Sequence, residues 1–435
     1  MYPSEGLMKA LNEIRETSIQ NGTLYHRQVP VVEATTSITN FGMPILENQV
    51  VMNEFVSALM NRIAYTSFSN RYTFDNPLQI LYGDEIPLGE TVQDIYVNPA
   101  QARAYNVNDF AGLLQKYEAS VKVQYLAKNQ DVQYCVSITR PSLKKAFTSW
   151  GDLERFIDEL ANSLYNGLYI DDYKLSKGLV TSAYINGVGQ VRVVNNPTTS
   201  EAYGKAFVKQ LRTDFLNMGL PSISYNAYTK ITDGDYIQTW TRPEDIVLLV
   251  RNDILASVDV DILAVSFNMS KAEFLGRVIP VDTFGNDKIF AFMGDRRWFR
   301  IHNQEMYLDE FYNANNRVWN YYLNKIGMFN YSLFANGVIY ASEEASVGAT
   351  DIEFESDTAS VEVNENITLR VITTPVQANS TITYTSSATG KATVVADSSD
   401  PKKCVVTGKA TGEATITASV DGHTDTCVVT VKASE

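Results

Sequence analysis

The sequence predicts an α+β body followed by a small all-β sandwich. Three observations carry that reading. From Asp351 onward only two aromatics remain, Phe354 and Tyr384, whereas the upstream chain is dense in Tyr, Phe and Trp. That tail is built from Thr, Val, Ala, Ser and Gly in short alternating runs, the pattern of strands with one face buried. Upstream, one long helical stripe is interspersed with strand-like runs, without the regular strand–helix–strand alternation of a doubly wound nucleotide-binding fold.

Taken in order, residues 1–45 are mixed, with Pro30, Pro44 and several Thr, and read as an extended arm. Met52, Phe55, Val56, Leu59 and Ile63 then fall on one face at helical spacing. Turn signals follow in Asp75-Asn76-Pro77-Leu78 and in the run from Gly83 to Gly89. Val121, Val123 and Tyr125 alternate with polar residues, as do Val132, Tyr134, Val136 and Ile138. The polar link Lys128 to Asp131 suggests that these two strands pair as one antiparallel ribbon.

The clearest helix begins near Ser149. Leu153, Phe156, Ile157, Leu160, Leu164 and Leu168 recur at three and four, with Ser149 or Asp152 available as the cap and Gly167 and Gly178 near plausible ends. Phe207, Val208, Leu211 and Phe215 form a second helical stripe. Ile246 to Val250 is a continuous apolar run suited to a buried strand, residues 260–267 read as a short helix, and residues 274–281 and 288–292 as further strands. The aromatic-rich stretch 317–341 suits strands on a packed sheet. In the tail, Ile367/Leu369/Val371, Ile382/Tyr384, Val394/Val395, Val405/Val406, Ala414/Ile416/Ala418 and Val429/Val431 mark about six strands, punctuated by Gly390, Gly408, Gly412 and Gly422.

The charge balance narrows the function. Net charge is −14. The tail from Asp351 holds twelve acids and six bases, so it supplies −6 and the preceding residues −8. Neither part has the basic excess that tight binding to a phosphate backbone needs. No apolar run approaches the ~20 residues of a membrane-spanning helix, and the start lacks a basic segment leading into an apolar core, so no secretory signal is expected and folding in a cytoplasm is. Cys135, Cys404 and Cys427 lack metal-ligand spacing and read as free thiols, with a Cys404–Cys427 pair left open.

Chemistry-bearing constellations are sparse. His26, His302 and His423 are scattered, with no HExxH or Cys/His cluster for zinc. There is no nucleophile elbow, and Gly187-Val188-Gly189 lacks the third glycine of a dinucleotide loop. The best metal candidate is Asp233-Gly234-Asp235 with Glu244 at the twelfth position of a calcium loop. Ile237 and Gln238 occupy positions five and six, where a ligand and a glycine are needed, so a surface turn is the better reading. Asp171-Asp172 and Asp259/Asp261 read as helix-end or turn acids. No catalytic, cofactor-binding or metal residue is therefore assigned, no cofactor is expected, and the body reads as a structural protomer.

Several segments, in order, resemble the major capsid proteins of short-tailed phages of the phi29-like, picovirus type. They are Asn76-Pro77-Leu78, Ile86-Pro87-Leu88-Gly89 with Thr91 to Tyr96, Leu143 to Gly151, Asp259 to Leu263, Phe267-Asn268-Met269, Phe274-Leu275-Gly276, Trp319-Asn320-Tyr321-Tyr322 and Phe334-Ala335-Asn336. In the tail, Thr385-Ser386-Ser387, Ala392-Thr393-Val394, Val406-Thr407-Gly408 and Gly412 to Ile416 resemble a bacterial Ig-like domain of group 2.

The resemblance implies an HK97-type capsid fold and assigns its parts. Residues 1–45 would be an N-terminal arm and 46–345 the body. Within the body, an extended loop would span about 72–140, a spine helix about 149–168 and an axial domain about 180–285, with strands near 288–341 returning to the peripheral domain. Residues 350–435 would be the Ig-like sandwich on the outer surface. The implied function is a major capsid protein that self-assembles, as pentamers and hexamers, into an icosahedral shell around double-stranded DNA. Implied partners are scaffolding and portal proteins, with the genome touched weakly and non-specifically and no membrane involved. Deleting about 127–131, as the tip of the extended loop, is expected to impair assembly yet leave a folded monomer. The competing readings are an encapsulin-like bacterial compartment and a bacterial surface or adhesion protein with an Ig-like module.

Overall fold

The computed structural model describes residues 2–65, 74–87, 91–100, 102, 116, 118–257 and 278–433, with the side chains of 63–65 excepted. The expected helix at 260–267 and the segments Asp259–Leu263, Phe267–Met269 and Phe274–Gly276 lie outside the described residues, as does most of the stretch 101–117. Two compact units form. One comprises Met1–Val92, Tyr125–Ser176 and Arg300–Asn330; the other comprises Gln93–Gln124, Lys177–Phe299 and Tyr331–Glu435.

The first unit is built on helices. Residues 1–45 are not an extended arm. Glu5–Gln20 is a helix capped by Ser4, and Ile38–Glu47 is a helix capped by Ser37 that contains Pro44. Leu7, Leu11 and Ile14, at spacings of four and three, point into the same core as Phe41, Ile45, Met52 and Phe55. Burying that stripe repays the helix, which is why local proline and threonine content misled. The helix Gln49–Tyr65 carries the expected apolar face.

The helix expected from Ser149 runs much further, from Trp150 to Ile185. At 36 residues it is about 54 Å long by the standard rise. Ser149 caps it by accepting from the Asp152 amide at 3.1 Å. Neither glycine ends it. An added Cβ at Gly167 would lie 3.2 Å from Tyr134 Cδ1, so this glycine lets a strand approach closely.

That strand, Gln130–Thr139, corrects the ribbon expectation. It does not pair with Val121–Leu126. Its sheet is three-stranded, ordered Gln130–Thr139, Val318–Tyr331, Phe299–Asn313. Val136 sits opposite Tyr321 and Ile138 opposite Trp319, so the aromatic-rich centre strand supplies better cross-strand partners than the polar hairpin would. The link at Asn129 is stitched to that strand: its Oδ1 accepts from Phe329 N at 2.8 Å and its Nδ2 donates to Phe329 O at 2.7 Å. Residues 127–131 are thus not the tip of a loop, and the extended loop cannot reach 140. Deleting them would remove this stitch and the start of a sheet strand, so a native-like monomer is no longer expected from that deletion.

The second unit contains a five-stranded mixed sheet, ordered Gln190–Val193, Gly337–Ala341, Ile289–Asp295, Ile246–Arg251, Val278–Val281. The continuous apolar run Ile246–Val250 lies on an interior strand, Ile246–Arg251, and is buried, as its composition predicts. Helix Glu201–Met218 lays Phe207, Val208, Leu211 and Phe215 against this sheet. Ile289–Asp295 and Gly337–Ala341 belong here, so the 288–341 strands do not all join one sheet; only Phe299–Asn313 and Val318–Tyr331 share the sheet of Gln130–Thr139.

The sandwich has two four-stranded sheets. One is ordered Asp351–Phe354, Asn366–Thr374, Lys403–Gly408, Ala392–Ala396. The other is ordered Thr358–Glu362, His423–Lys432, Gly412–Val420, Thr383–Ser386. The short strands Asp351–Phe354 and Thr358–Glu362 are additional to the expected six. Cys404 and Cys427 lie in its core as free thiols, and burial pushes the Cys404 thiol up to about 11.

Candidate functional site: an outward-facing apolar ribbon and its anchoring turn

The strands Val92–Val97 and Val121–Leu126 form a two-stranded ribbon, with Asn98 N donating to Ser120 O at its far end. Alternation places Asp94 and Tyr96 of one strand and Lys122 and Gln124 of the other on the inner face. Each of these four has a polar partner. Ser332 Oγ donates to Asp94, and Tyr96 OH donates to the Gln238 carbonyl. Lys122 Nζ donates to Asp235. The Gln124 amide spans Tyr331 O at 3.0 Å and Leu333 N at 2.9 Å. Beyond the strand, Asn98 clasps Tyr236 O at 3.1 Å and Gln238 N at 3.3 Å.

The outer face is apolar. Ile95, Val97, Val121 and Val123 are each about half exposed, and Tyr125 is 69% exposed. This is the reverse of an ordinary half-buried strand, which turns its apolar residues inward. A contiguous exposed apolar face of this kind marks an interaction surface.

The turn that holds Lys122 is the former calcium candidate. Gly234 has φ +74, a left-handed conformation suited to glycine. Asp235 accepts from Lys122 and, at 2.7 Å, from Tyr228 OH; these bonds hold its carboxyl below the ordinary value and raise Lys122. Asp233 accepts from Arg370 Nη2. Both acids are therefore engaged by cationic side chains. Glu244 lies apart in the turn Pro243–Asp245. Among the described residues, no group of three or more His, Cys, Asp or Glu side chains converges as a metal site. His26 Nδ1 lies 3.2 Å from Ser18 Oγ, His302 Nδ1 lies 2.8 Å from the Asp84 carbonyl, and His423 opens a sandwich strand.

Asp172 and Asp214 are buried, against the sequence reading of Asp172 as a helix-end or turn acid. Asp172 is neither at a helix end nor in a turn. It lies mid-helix, paired with Lys325 from the centre strand Val318–Tyr331. Asp214 accepts from Tyr225 OH at 3.0 Å and from Tyr340 OH at 2.9 Å, with burial driving the Tyr340 hydroxyl far above its usual range. Both serve packing. A cavity of about 560 Å³ in the first unit is lined by polar residues including Glu13, Ser18, Glu54 and Arg62, and Glu13 and Arg62 form an ion pair across it. Asp259 and Asp261 lie outside the described residues.

Residues 11–341 match the family model described as Phi29-like phage major capsid protein, and residues 349–431 match the bacterial Ig-like domain of group 2. The major capsid protein of Bacillus phage B103 is 30% identical over 354 residues, covering 81% of this chain and 76% of that protein. That of Bacillus phage PZA is 29% identical over 342 residues, covering 78% and 74%. That of Streptococcus phage Cp-1 is 26% identical over 351 residues, covering 77% and 94%. The fold is similar to the capsid structure of Staphylococcus phage Andhra, with a TM-score of 0.53 and 12% identity over 64% of this chain and 87% of that one. The chain belongs to the Phi29-like phage major capsid protein family: it is a structural protein of the virion shell of a tailed phage, and it carries a bacterial Ig-like domain of group 2 after its capsid region.

Proposed function

We propose that the shell is closed by pentamers and hexamers of this chain and that the ribbon Val92–Val97/Val121–Leu126 is the element that reaches a neighbouring copy. The observation that carries this is the ribbon's inverted polarity. Five apolar side chains face outward while the inner face is fully occupied by polar contacts. A second copy covering that face removes the cost of leaving it in water, and closed symmetry repeats the gain around the shell.

The remaining parts take roles in the same frame. The long helix with the three-stranded sheet makes the peripheral domain. The five-stranded sheet with helix Glu201–Met218 makes the axial domain, which meets its symmetry mates around five- and six-fold axes. The amino-terminal helices belong to the body's core, which leaves little free arm. The Ig-like sandwich is displayed outward. Self-association is the protein's whole activity, with no catalysed reaction. Scaffolding and portal proteins are its assembly partners. Its acidity suits a wall that must not adsorb packaged DNA strongly, since binding to a phosphate backbone scales with the cations presented.

The test is the double substitution Val123→Glu with Tyr125→Glu, purified and imaged by electron microscopy. Both side chains face solvent in the single chain, so folding should persist, read by circular dichroism, while shells are lost. Normal shells from a folded double variant would remove the ribbon from this role.

A further inference from the structure

The turn Thr232-Asp233-Gly234-Asp235-Tyr236 fastens two different parts of the second unit. On one side, Asp235 receives Lys122 of the ribbon, which also sits 5.8 Å over the Tyr228 ring. On the other, Asp233 receives Arg370 from the sandwich strand Asn366–Thr374. Only Gly234 separates the two acids, and its left-handed φ of +74 belongs to the bend between them. The turn is itself braced, with the single Thr232 hydroxyl within hydrogen-bonding reach of two carbonyls, Tyr228 O at 2.7 Å and Asp235 O at 2.8 Å. Next to it, Tyr236 O accepts from Asn98, just beyond the first ribbon strand.

We propose that this turn couples the Ig-like sandwich to the ribbon, so that Asp233 and Asp235 are positioning residues for assembly. When Arg370 holds Asp233, the short braced turn presents Asp235 to Lys122 in one orientation, and the ribbon keeps its apolar face outward. A ligand that draws Arg370 away releases the turn and loosens the ribbon. The coupling is reciprocal, so docking of the ribbon on a neighbour stiffens the sandwich attachment by the same factor. Both ion pairs are partly exposed, which makes the coupling graded and sensitive to ionic strength. The consequence for assembly rests on the ribbon acting as the inter-subunit element; the coupling itself does not.

Hydrogen–deuterium exchange on the purified full chain before assembly tests it. Arg370→Glu should raise exchange several-fold in the amides of 92–97 and 121–126, while the sandwich strands 412–420 and 423–432 stay as protected as before. Asp233→Asn severs the same contact from the other side and should do likewise, which guards against a local misfold of the sandwich. The charge swap Asp233→Arg with Arg370→Asp should restore native ribbon protection. Lys122→Glu acts on the ribbon directly and sets the largest response. An unchanged ribbon in both Arg370→Glu and Asp233→Asn, or no rescue by the swap, would overturn the coupling. Exchange that responds as expected while every variant still forms normal shells would leave the coupling standing and remove the ribbon from assembly.

Discussion

Lys325 and Asp172 form an ion pair sealed from water, with Nζ 2.6 Å from Oδ1 and the two side chains 3% and 6% exposed. The ammonium lies between the Tyr82 and Phe329 rings, at 5.9 and 5.5 Å from their centroids. Burial pulls the Lys325 pKa down and Asp172 opposes that shift. The pair thus ties the middle of the long helix to the centre strand of the three-stranded sheet.

Removing one partner strands the other. Asp172→Ala should destabilise the chain by about 3–5 kcal/mol, the usual cost of an uncompensated buried charge. The double variant Asp172→Leu with Lys325→Met should recover most of that loss, because well-packed apolar replacements of a buried pair are often neutral. Denaturant midpoints of the single and double variants check this. A single variant as stable as the native chain would mean that water reaches the pair.

Alkaline pH should unfold the protein. Tyr25, Tyr82, Tyr321 and Tyr340 all have their hydroxyl pKa raised, in each case chiefly by burial. A raised folded-state value means that stability is intact below the unfolded value of about 10 and is lost as pH rises through it. Lys325, shifted downward, works in the opposite sense and favours the fold as pH approaches about 10.4, but one group does not offset four. Thermal melts from pH 8 to 11 should show the midpoint falling only above about pH 10, as tyrosine ionises in the unfolded chain.

Two glycines should respond oppositely to alanine. A Cβ at Gly294 would lie 2.6 Å from Asn336 O and 2.8 Å from Gly337 Cα, both backbone atoms that cannot step aside. Gly294→Ala should cost about 1–3 kcal/mol, the range for forced overpacking. Gly178 lies within the long helix with open space around it, and Gly178→Ala should stabilise the chain by up to about 1 kcal/mol through helix propensity. Thermal melts of the unassembled chain distinguish the two.

Removing the Ig-like module should leave a folded body that still forms shells, at lower yield than the full chain because Arg370, which holds Asp233, leaves with the module. The cut belongs after Glu344. Asn379 binds Ala345 O at 2.8 Å and Asp421 binds Ala349 N at 2.8 Å, so residues 345–349 go with the sandwich. Tyr184 OH donates to Glu343 O at 2.9 Å, so residue 343 stays with the body. Size-exclusion chromatography and electron microscopy of the truncated chain check this, and failure to make any particle would contradict an independent core in the body.

Where burial follows a regular spacing, the fold was legible. Leu153, Ile157, Leu160, Leu164 and Leu168 announce the long helix, and the apolar run Ile246–Val250 announces a buried strand. The same spacing holds a signal that went unread. Four residues past Leu168 lies Asp172, and four more Ser176, both on the buried face, so a carboxylate on an apolar stripe already implies a buried cation. Strand pairing was less legible, because alternation defines a strand's two faces without naming its partner. The side chains that draw Gln130–Thr139 away from Val121–Leu126 sit almost two hundred residues later, at Trp319, Tyr321 and Leu323. The proposed assembly surface was hardest to read. Ile95, Val97, Val121 and Val123 look like core positions in any alternating pattern, and only the polar anchors Ser332, Gln238 and Asp235 reveal that they face outward. The compartment and adhesion readings gave way to the family match, which covers residues 11–341.

The central claim is that copies of this chain hold one another in a closed shell. Electron microscopy of the purified full chain, alone and together with its neighbouring gene products, tests that most directly. The account predicts closed particles with five- and six-fold clusters of the chain. A protein that stays monomeric under every condition, and that is absent from the shell of its own virion, would contradict it.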